Sequence, residues 1–353
     1  HPAEDAHASG AVRRTLPLVG GTEGGASQSV MSLLDQVGLA CYLLPKEQRP
    51  EILYAGNQKL AGEIQEAVGK LTSLHIAPNV RPSLDVEQLG PAQAELVQVF
   101  RQSRLRQVPG VGEVDGWTGG HLMPTAAAFG RTIRFISKGY SSTRKGVLGV
   151  DVGGSTTTLA AGFGGELSLH VSSNHGLGEG LAGLLQTCKV DDVLRWLPYE
   201  ASESHLREYI QTKVTYPGSL PATAEDLAME HALTTQLLQT ALKRAERSFP
   251  AHASRMQPNL LPWFEPIIAA GRVFTHTPQL GQVVLTLLNG LQPVGVTTLA
   301  LDQNNLAASL GAAADVSPLL TVQGLDATNF QSICTVITPV GRAEVGTPVL
   351  RVK

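Results

Sequence analysis

The chain has 353 residues, 42% of them hydrophobic and only 16% charged, with 37 Gly and 21 Pro; this excludes a disordered or fibrous protein and predicts an α/β protein with many tight turns, long enough for two lobes. Its 27 basic and 30 acidic residues are dispersed and sum to a formal charge of −3, so neither nucleic acid nor an anionic membrane is an expected partner. No apolar run approaches the ~20 residues of a membrane helix, and Cys41, Cys188 and Cys334 are too scattered for a disulfide framework or a metal knuckle, which together predict a reducing, cytoplasmic setting.

Residues 1–15 are polar, Ala-rich and aperiodic and open on His in place of Met, so they read as disordered or tag-like. Leu16–Val19 is an expected strand entering the loop GGTEGG, followed by a helix over Ser27–Leu39. Ile52–Tyr54 is the next strand and Leu60–Val68 the next helix, so residues 16–145 read as a partial first lobe of βαβ type. A helix over Pro91–Arg104, a Gly-rich loop over Pro109–Gly120 and a helix over Pro124–Ile136 complete it. A second lobe is expected over 146–315, with strands at Val147–Val150, Thr157–Ala161 and Leu167–Val171, a helical insertion at about 190–250, and then a strand at Pro266–Ala270, a helix at Leu280–Gly290, a strand at Val296–Leu301 and a helix at Leu306–Ala314. Residues 316–353 alternate apolar runs with Gly and Pro, and are expected as a small β-rich extension.

The stretch that carries chemistry is Gly146–Gly162, GVLGVDVGGSTTTLAAG. An apolar strand runs into Asp151, then Gly153 and Gly154, then the hydroxyls of Ser155, Thr156 and Thr157. Such a turn lets backbone amides approach an anion, and Asp151 at the strand end can hold Mg²⁺ through water. The alternative is a hairpin whose glycines only satisfy turn geometry. There is no Walker A sequence, no HExxH and no Gly-x-Ser-x-Gly elbow, so a nucleotide, if bound, must use this hairpin.

The order of motifs resembles a known superfamily. Pro124–Ala128 before DVGGSTTT looks like the connecting helix and second phosphate loop of actin, sugar kinases and heat-shock chaperones. Ile267–Phe274, IIAAGRVF, is similar to their adenosine-side loop and Leu310–Ala314 to their second connecting helix. Within it, GGTEGGA, YAGN, LMPTAAA, DVGGSTTT, GLGEG and QPVGVTTLALD most resemble the MutL/GlmL group, chaperone-like ATPases that accompany adenosylcobalamin-dependent mutases. The resemblance implies an α/β, actin-like (ribonuclease H-like) two-lobed fold and binding of ATP and Mg²⁺. It also implies a protein partner, such as an adenosylcobalamin-dependent mutase.

It further makes Asp151 a metal ligand and, with Thr156, a catalytic candidate. Gly153, Gly154, Ser155, Thr157, Gly176, Gly178, Gly271 and Arg272 become nucleotide-binding candidates. Bland alternatives stand beside these roles: a strand-end cap for Asp151, β-propensity for Thr156, loop geometry for Gly176 and Gly178. Arg272 can stack on a base. Two departures stand out: no acidic Gly-Ser/Thr hairpin precedes Gly20, leaving the first lobe without its phosphate loop, and Thr158 stands where close relatives usually carry Asp. The expected function is therefore a nucleotide-binding, chaperone-like protein acting by lobe closure. A non-catalytic actin-like scaffold is the alternative, and a metabolite kinase is disfavoured because no catalytic Asp sits in a substrate loop.

Overall fold

The computed structural model describes residues 15–350 except 26, 140–144, 251 and 327–328. The stretch expected as disordered or tag-like therefore lies, apart from Thr15, outside the described residues. The chain forms two compact units, one ending at Pro124 and one beginning at Thr125.

In the first unit, β1 (Thr15–Leu18), β2 (Glu51–Tyr54) and β3 (Leu74–Ile76) form a parallel sheet in that order. Helices α1 (Ser27–Leu43) and α2 (Ala61–Val68) are the crossovers, and they bury Leu34, Cys41, Ile64 and Val68 against Leu18, Ile52 and Tyr54. The sheet is the expected βαβ arrangement. Helix α3 (Gly90–Gln107) follows, and α4 (Val111–Trp117) lies in the Gly-rich stretch expected as a loop. It is a short helix that buries none of its residues, and Gly112 and Gly116 inside it made the stretch read as a loop.

The second unit is built on a six-stranded sheet in the order β6-β5-β4-β7-β8-β9. The strands are β4 (Gly146–Val152), β5 (Thr156–Phe163), β6 (Glu166–Ser173), β7 (Phe264–Ala270), β8 (Gly295–Asp302) and β9 (Phe330–Thr338). β4, β5 and β6 form an antiparallel meander, β7 and β8 run parallel to β4, and β9 closes the edge antiparallel to β8. The helical insertion comprises α6 (Val190–Leu194), α7 (Glu203–Thr215) and α8 (Ala224–Ala245). Helices α9 (Arg272–Thr275) and α10 (Leu280–Leu291) follow β7. One sheet face packs Leu148, Val150 and Leu159 against Leu233, Leu237 and Leu238 of α8 and Leu287 of α10.

The opposite face is covered by α5 (Thr125–Lys138) and α11 (Leu306–Ala313). Gly149 lets α5 approach β4, because a Cβ there would overlap Ile133 and lie 2.8 Å from the Phe129 ring. At Gly311 a Cβ would overlap the Ala128 carbonyl, so the two helices touch backbone to backbone. Their contact is fixed by the Thr132 hydroxyl donating to the Ala307 carbonyl at 2.7 Å and by the Arg131–Asp315 ion pair at 2.8 Å. Helix α5, read from sequence as the end of the first lobe, thus packs within the second unit.

The tail also differs from expectation. Helix α12 (Pro318–Asp326) begins at Pro, a favoured first helical residue, and packs on α11, where Leu310 meets Gly324. β9 then joins the main sheet as its edge, and no strand is assigned between Pro339 and Leu350. The β-rich extension is therefore one helix and one strand of the second unit: the Thr321 hydroxyl donates to the Leu310 carbonyl at 3.0 Å and Gly324 lies against Leu310, while Leu319, Leu320 and Val322 stay exposed.

Candidate functional site

β4 ends in Asp151-Val152, and the chain reverses through Gly153–Thr156, where the Gly153 amide donates to the Thr156 carbonyl at 2.9 Å. The amides of Gly154 and Ser155 find no acceptor among the described residues, and a Cβ on Gly154 would meet nothing within 4 Å. The exposed tip of the hairpin thus carries backbone donors without an acceptor among the described residues, a feature an anion can use. Asp151 pairs with Thr158 across the hairpin and with Ala270 of β7. By strand alternation these three share the face covered by α5 and α11.

Asp302 ends β8 on the same face, one residue beyond the Ala269–Leu301 pair. Its carboxylate accepts from the Leu306 and Ala307 amides, both at 2.8 Å, and so caps α11. Asp151 and Asp302 line one cavity of about 310 Å³, together with Gly153, Gly154, Gly271, Asn305, Lys213 and Glu230. Burial, and then the negative charge of Asp302, push the Asp151 carboxyl above the usual carboxylate range. Burial likewise raises Asp302, against the lowering effect of its two amide bonds. Two carboxylates held against their preference beside free amides form a donor set suited to a hydrated divalent cation and the phosphates it accompanies.

Gly271 closes the cavity between β7 and α9. Its φ of 110° favours glycine, and a Cβ would overlap the Val152 carbonyl. Its amide donates to the Asn305 side chain at 3.0 Å, tying the end of β7 to the loop that starts α11. At the cavity wall the buried Lys213 and Glu230 form an ion pair. The Tyr209 hydroxyl, bonded to Glu230, is pushed up mainly by burial.

Of the residues singled out in the sequence, Asp151, Gly153, Gly154, Gly271 and Arg272 line the cavity, and Thr156 shares the Asp151 face. Other candidates are engaged elsewhere. Thr157 points to the opposite face, fully buried, and donates to the His175 carbonyl at 2.7 Å. Ser155 donates to the Glu179 carboxylate. Gly176 and Gly178 stand behind the hairpin: a Cβ on Gly176 would lie 2.6 Å from the Gly154 carbonyl oxygen, and one on Gly178 3.2 Å from the Gly154 Cα. They admit backbone against backbone, and the Leu177 amide donates to the Gly153 carbonyl at 2.8 Å. The Arg272 guanidinium donates to the Pro217 and Gly218 carbonyls in place of stacking on a base.

Sequence reading did not single out Asp302, Asn305, Lys213, Glu230 or Glu179. Asp302 had a readable signal, an apolar strand ending in Asp before a helix, the same pattern as Asp151. The GGTEGG loop of the first unit is held by its own chain: Asn79 donates to the Gly21 carbonyl and to Glu23, and Asn57 accepts from the Gly24 amide. Among the described residues no group of three or more His, Cys, Asp or Glu is placed to hold a metal by itself, and no helix is long and apolar enough to cross a membrane.

A three-strand antiparallel meander continued by two strands parallel to its first, with carboxylates at the ends of the first and last of these and a Gly-Gly hairpin between, defines an actin-like ATPase fold of the ribonuclease H type. The chain belongs to the MutL protein family, whose model matches residues 14–327. It is 25% identical over 246 residues to Protein MutL of Clostridium tetanomorphum, an alignment covering 64% of this chain and 51% of that protein. The chain thus spans about half the length of that curated relative. Among solved structures, it is similar to component A of (R)-2-hydroxyglutaryl-CoA dehydratase from Acidaminococcus fermentans, with a TM-score of 0.31 and 11% identity over 84% of this chain and 86% of that one. It is also similar to the activator of 2-hydroxyisocaproyl-CoA dehydratase from Clostridium difficile with bound ADPNP, with a TM-score of 0.30 and 13% identity over 88% and 87%.

Proposed function

We propose that this chain binds ATP with Mg²⁺ and acts as a chaperone-like accessory protein in a cytoplasmic setting, nucleotide state altering the surface it offers to a protein partner. The observation that carries this reading is the placement of Asp151 and Asp302 at one cavity that Gly154 also lines, its amide without an acceptor among the described residues. A bound Mg²⁺ would supply the positive charge that relieves the two carboxylates and screens the phosphates. The amides would orient the phosphate oxygens, Asp302 and Asn305 would keep the α11 end in place, and Gly271 would give the nucleoside close access to backbone. Family membership favours an adenosylcobalamin-dependent mutase as the partner.

Calorimetric titration of MgATP into the chain tests the reading, with saturable heat expected that is lost on adding EDTA. Absence of heat from both MgATP and MgADP would sink it. A second reading, a non-catalytic actin-like scaffold, is favoured by Thr158 facing Asp151 where a second carboxylate is expected, and by the engagement of Ser155 and Thr157 with other groups. Phosphate release above background that disappears in Asp151→Ala would reject the scaffold.

A further inference from the structure

β9 is an edge strand: it pairs with β8 on one side, and among the described residues no strand pairs with its other side. Its residues, Phe330–Thr338, include no charge, proline or glycine, features that commonly keep an edge from pairing with another chain. Its one irregularity, the register shift opposite Leu299 and Ala300, leaves 334–338 regularly paired. Beside this end lies an open groove of about 870 Å³, lined by apolar Leu260, Leu288, Pro293, Val294, Val336 and Ile337. Arg342 is the one charged residue that lines it.

The residues that follow do not fill the groove. Residues 343–350 are exposed throughout, Val345 fully and Val349 and Leu350 by 64% and 51%. Among the described residues the segment's one hydrogen bond closes a turn, from the Thr347 amide to the Glu344 carbonyl at 3.0 Å, and Gly346 sits in that turn at a φ of 91°. Three large apolar side chains thus stand in solvent just past an apolar groove. The segment's one acid, Glu344, follows the groove's one cation by two residues.

The order of these residues is self-complementary. When two copies of 336–350 lie antiparallel about a two-fold axis at Ala343, Arg342 of each faces Glu344 of the other, Ile337 faces Val349 and Val336 faces Leu350. A single axis therefore satisfies both charges and both apolar ends, and it leads each segment along the free edge of the other copy's β9 to its groove. Pro339 and Pro348 each lack a donor, so side chains carry this pairing and not a full backbone ladder. We propose that a second copy of this chain docks here, residues 344–350 of each filling the groove of the other. No residue of the groove lines the Asp151 cavity, so the proposal stands apart from the nucleotide reading.

Sedimentation equilibrium of the full chain tests this. The mass is expected to rise from the 37.3 kDa of one chain toward twice that value as concentration is raised from ~1 to ~100 μM. Arg342→Glu and Glu344→Arg are each expected to weaken association by at least about tenfold, because each sets like charges opposite one another. An equimolar mixture of the two variants is expected to associate as the parent does, since every opposed pair is then of opposite sign. Leu350→Asp is expected to weaken association as the single reversals do. All three side chains are exposed, so the variants should melt with the parent. A mass of one chain at every concentration overturns the proposal and leaves the groove to the chain's own segment or to a different protein. A dimer indifferent to the reversals overturns it in favour of another face, and a dimer lost in both variants but not regained in the mixture overturns the register and the proposal with it.

Discussion

Burial and the charge of Asp302 hold the Asp151 carboxyl above its ordinary range, so folding takes up a proton at this position. Its cost to the folded state is absent in acid and grows as pH rises from usual aspartate values through the raised one. Asp151→Asn is therefore expected to raise the melting temperature of the ligand-free chain at pH 7 but not at pH 3.5, and to weaken MgATP by at least about tenfold. Scanning fluorimetry with and without MgATP reads both, and a lowered melting temperature at pH 7 without ligand would contradict the burial argument. Asp151 was legible in sequence because an apolar strand, an acid and two glycines are adjacent. The hydroxyl run beside it was over-read: consecutive residues of a strand alternate faces, so Thr156 and Thr157 do not both serve one anion. That alternation was available from sequence, whereas the capture of Ser155 by Glu179 depends on the fold.

At the scale of elements, helices with strong periodicity or cap signals were readable, and β3, α4 and α12 were not, because three residues, a helix without a buried face and a helix whose Leu319, Leu320 and Val322 stay exposed give no clear apolar face. The joint between α8, α10 and the turn after α9 shows what packing adds. His231 of α8 bonds Thr286 of α10 through Nδ1 at 2.8 Å and Thr277 through Nε2 at 3.2 Å. Burial lowers its pKa from 6.5 to about 4, so the folded chain keeps the ring neutral where the unfolded chain protonates it. Its contribution is complete above pH 6.5 and is lost as pH falls toward 4, by up to about 3 kcal/mol. His231→Leu is expected to flatten that part of the stability profile. The neutral ring donates from one nitrogen only, so one threonine hydroxyl must turn its proton to the ring; in the variant both hydroxyls can donate to backbone carbonyls, Thr277 to Val273 and Thr286 to Gln282. Urea unfolding at pH 7 and pH 5 measures the difference, and an equal pH dependence in parent and variant would assign the loss to other groups.

For the whole molecule, the sequence places a lobe boundary at residue 145/146, where the phosphate hairpin begins, and the structure places the unit boundary at Pro124/Thr125. The two differ by α5, and physical consequences follow. Phe129 and Ile133 are 1% and 0% exposed and fill the space that Gly149 leaves over β4. Thr132 and Arg131 hold α11, whose start is capped by Asp302. Loss of a single buried Phe or Ile side chain costs about 2–5 kcal/mol, a large share of the ~5–15 kcal/mol that stabilises a domain. Residues 125–353 are therefore expected to fold alone and retain MgATP binding, because every residue lining the Asp151 cavity lies beyond Pro124. Residues 146–353 are expected to lose the cooperative thermal transition, because the face bearing Asp151 and Asp302 is stripped of α5 and α11 is left without its partner. Circular dichroism melts of the two fragments, with calorimetric titration of MgATP into the longer one, decide this. Equal cooperative melts would show that α5 is dispensable to the second unit, and would return the boundary to the hairpin.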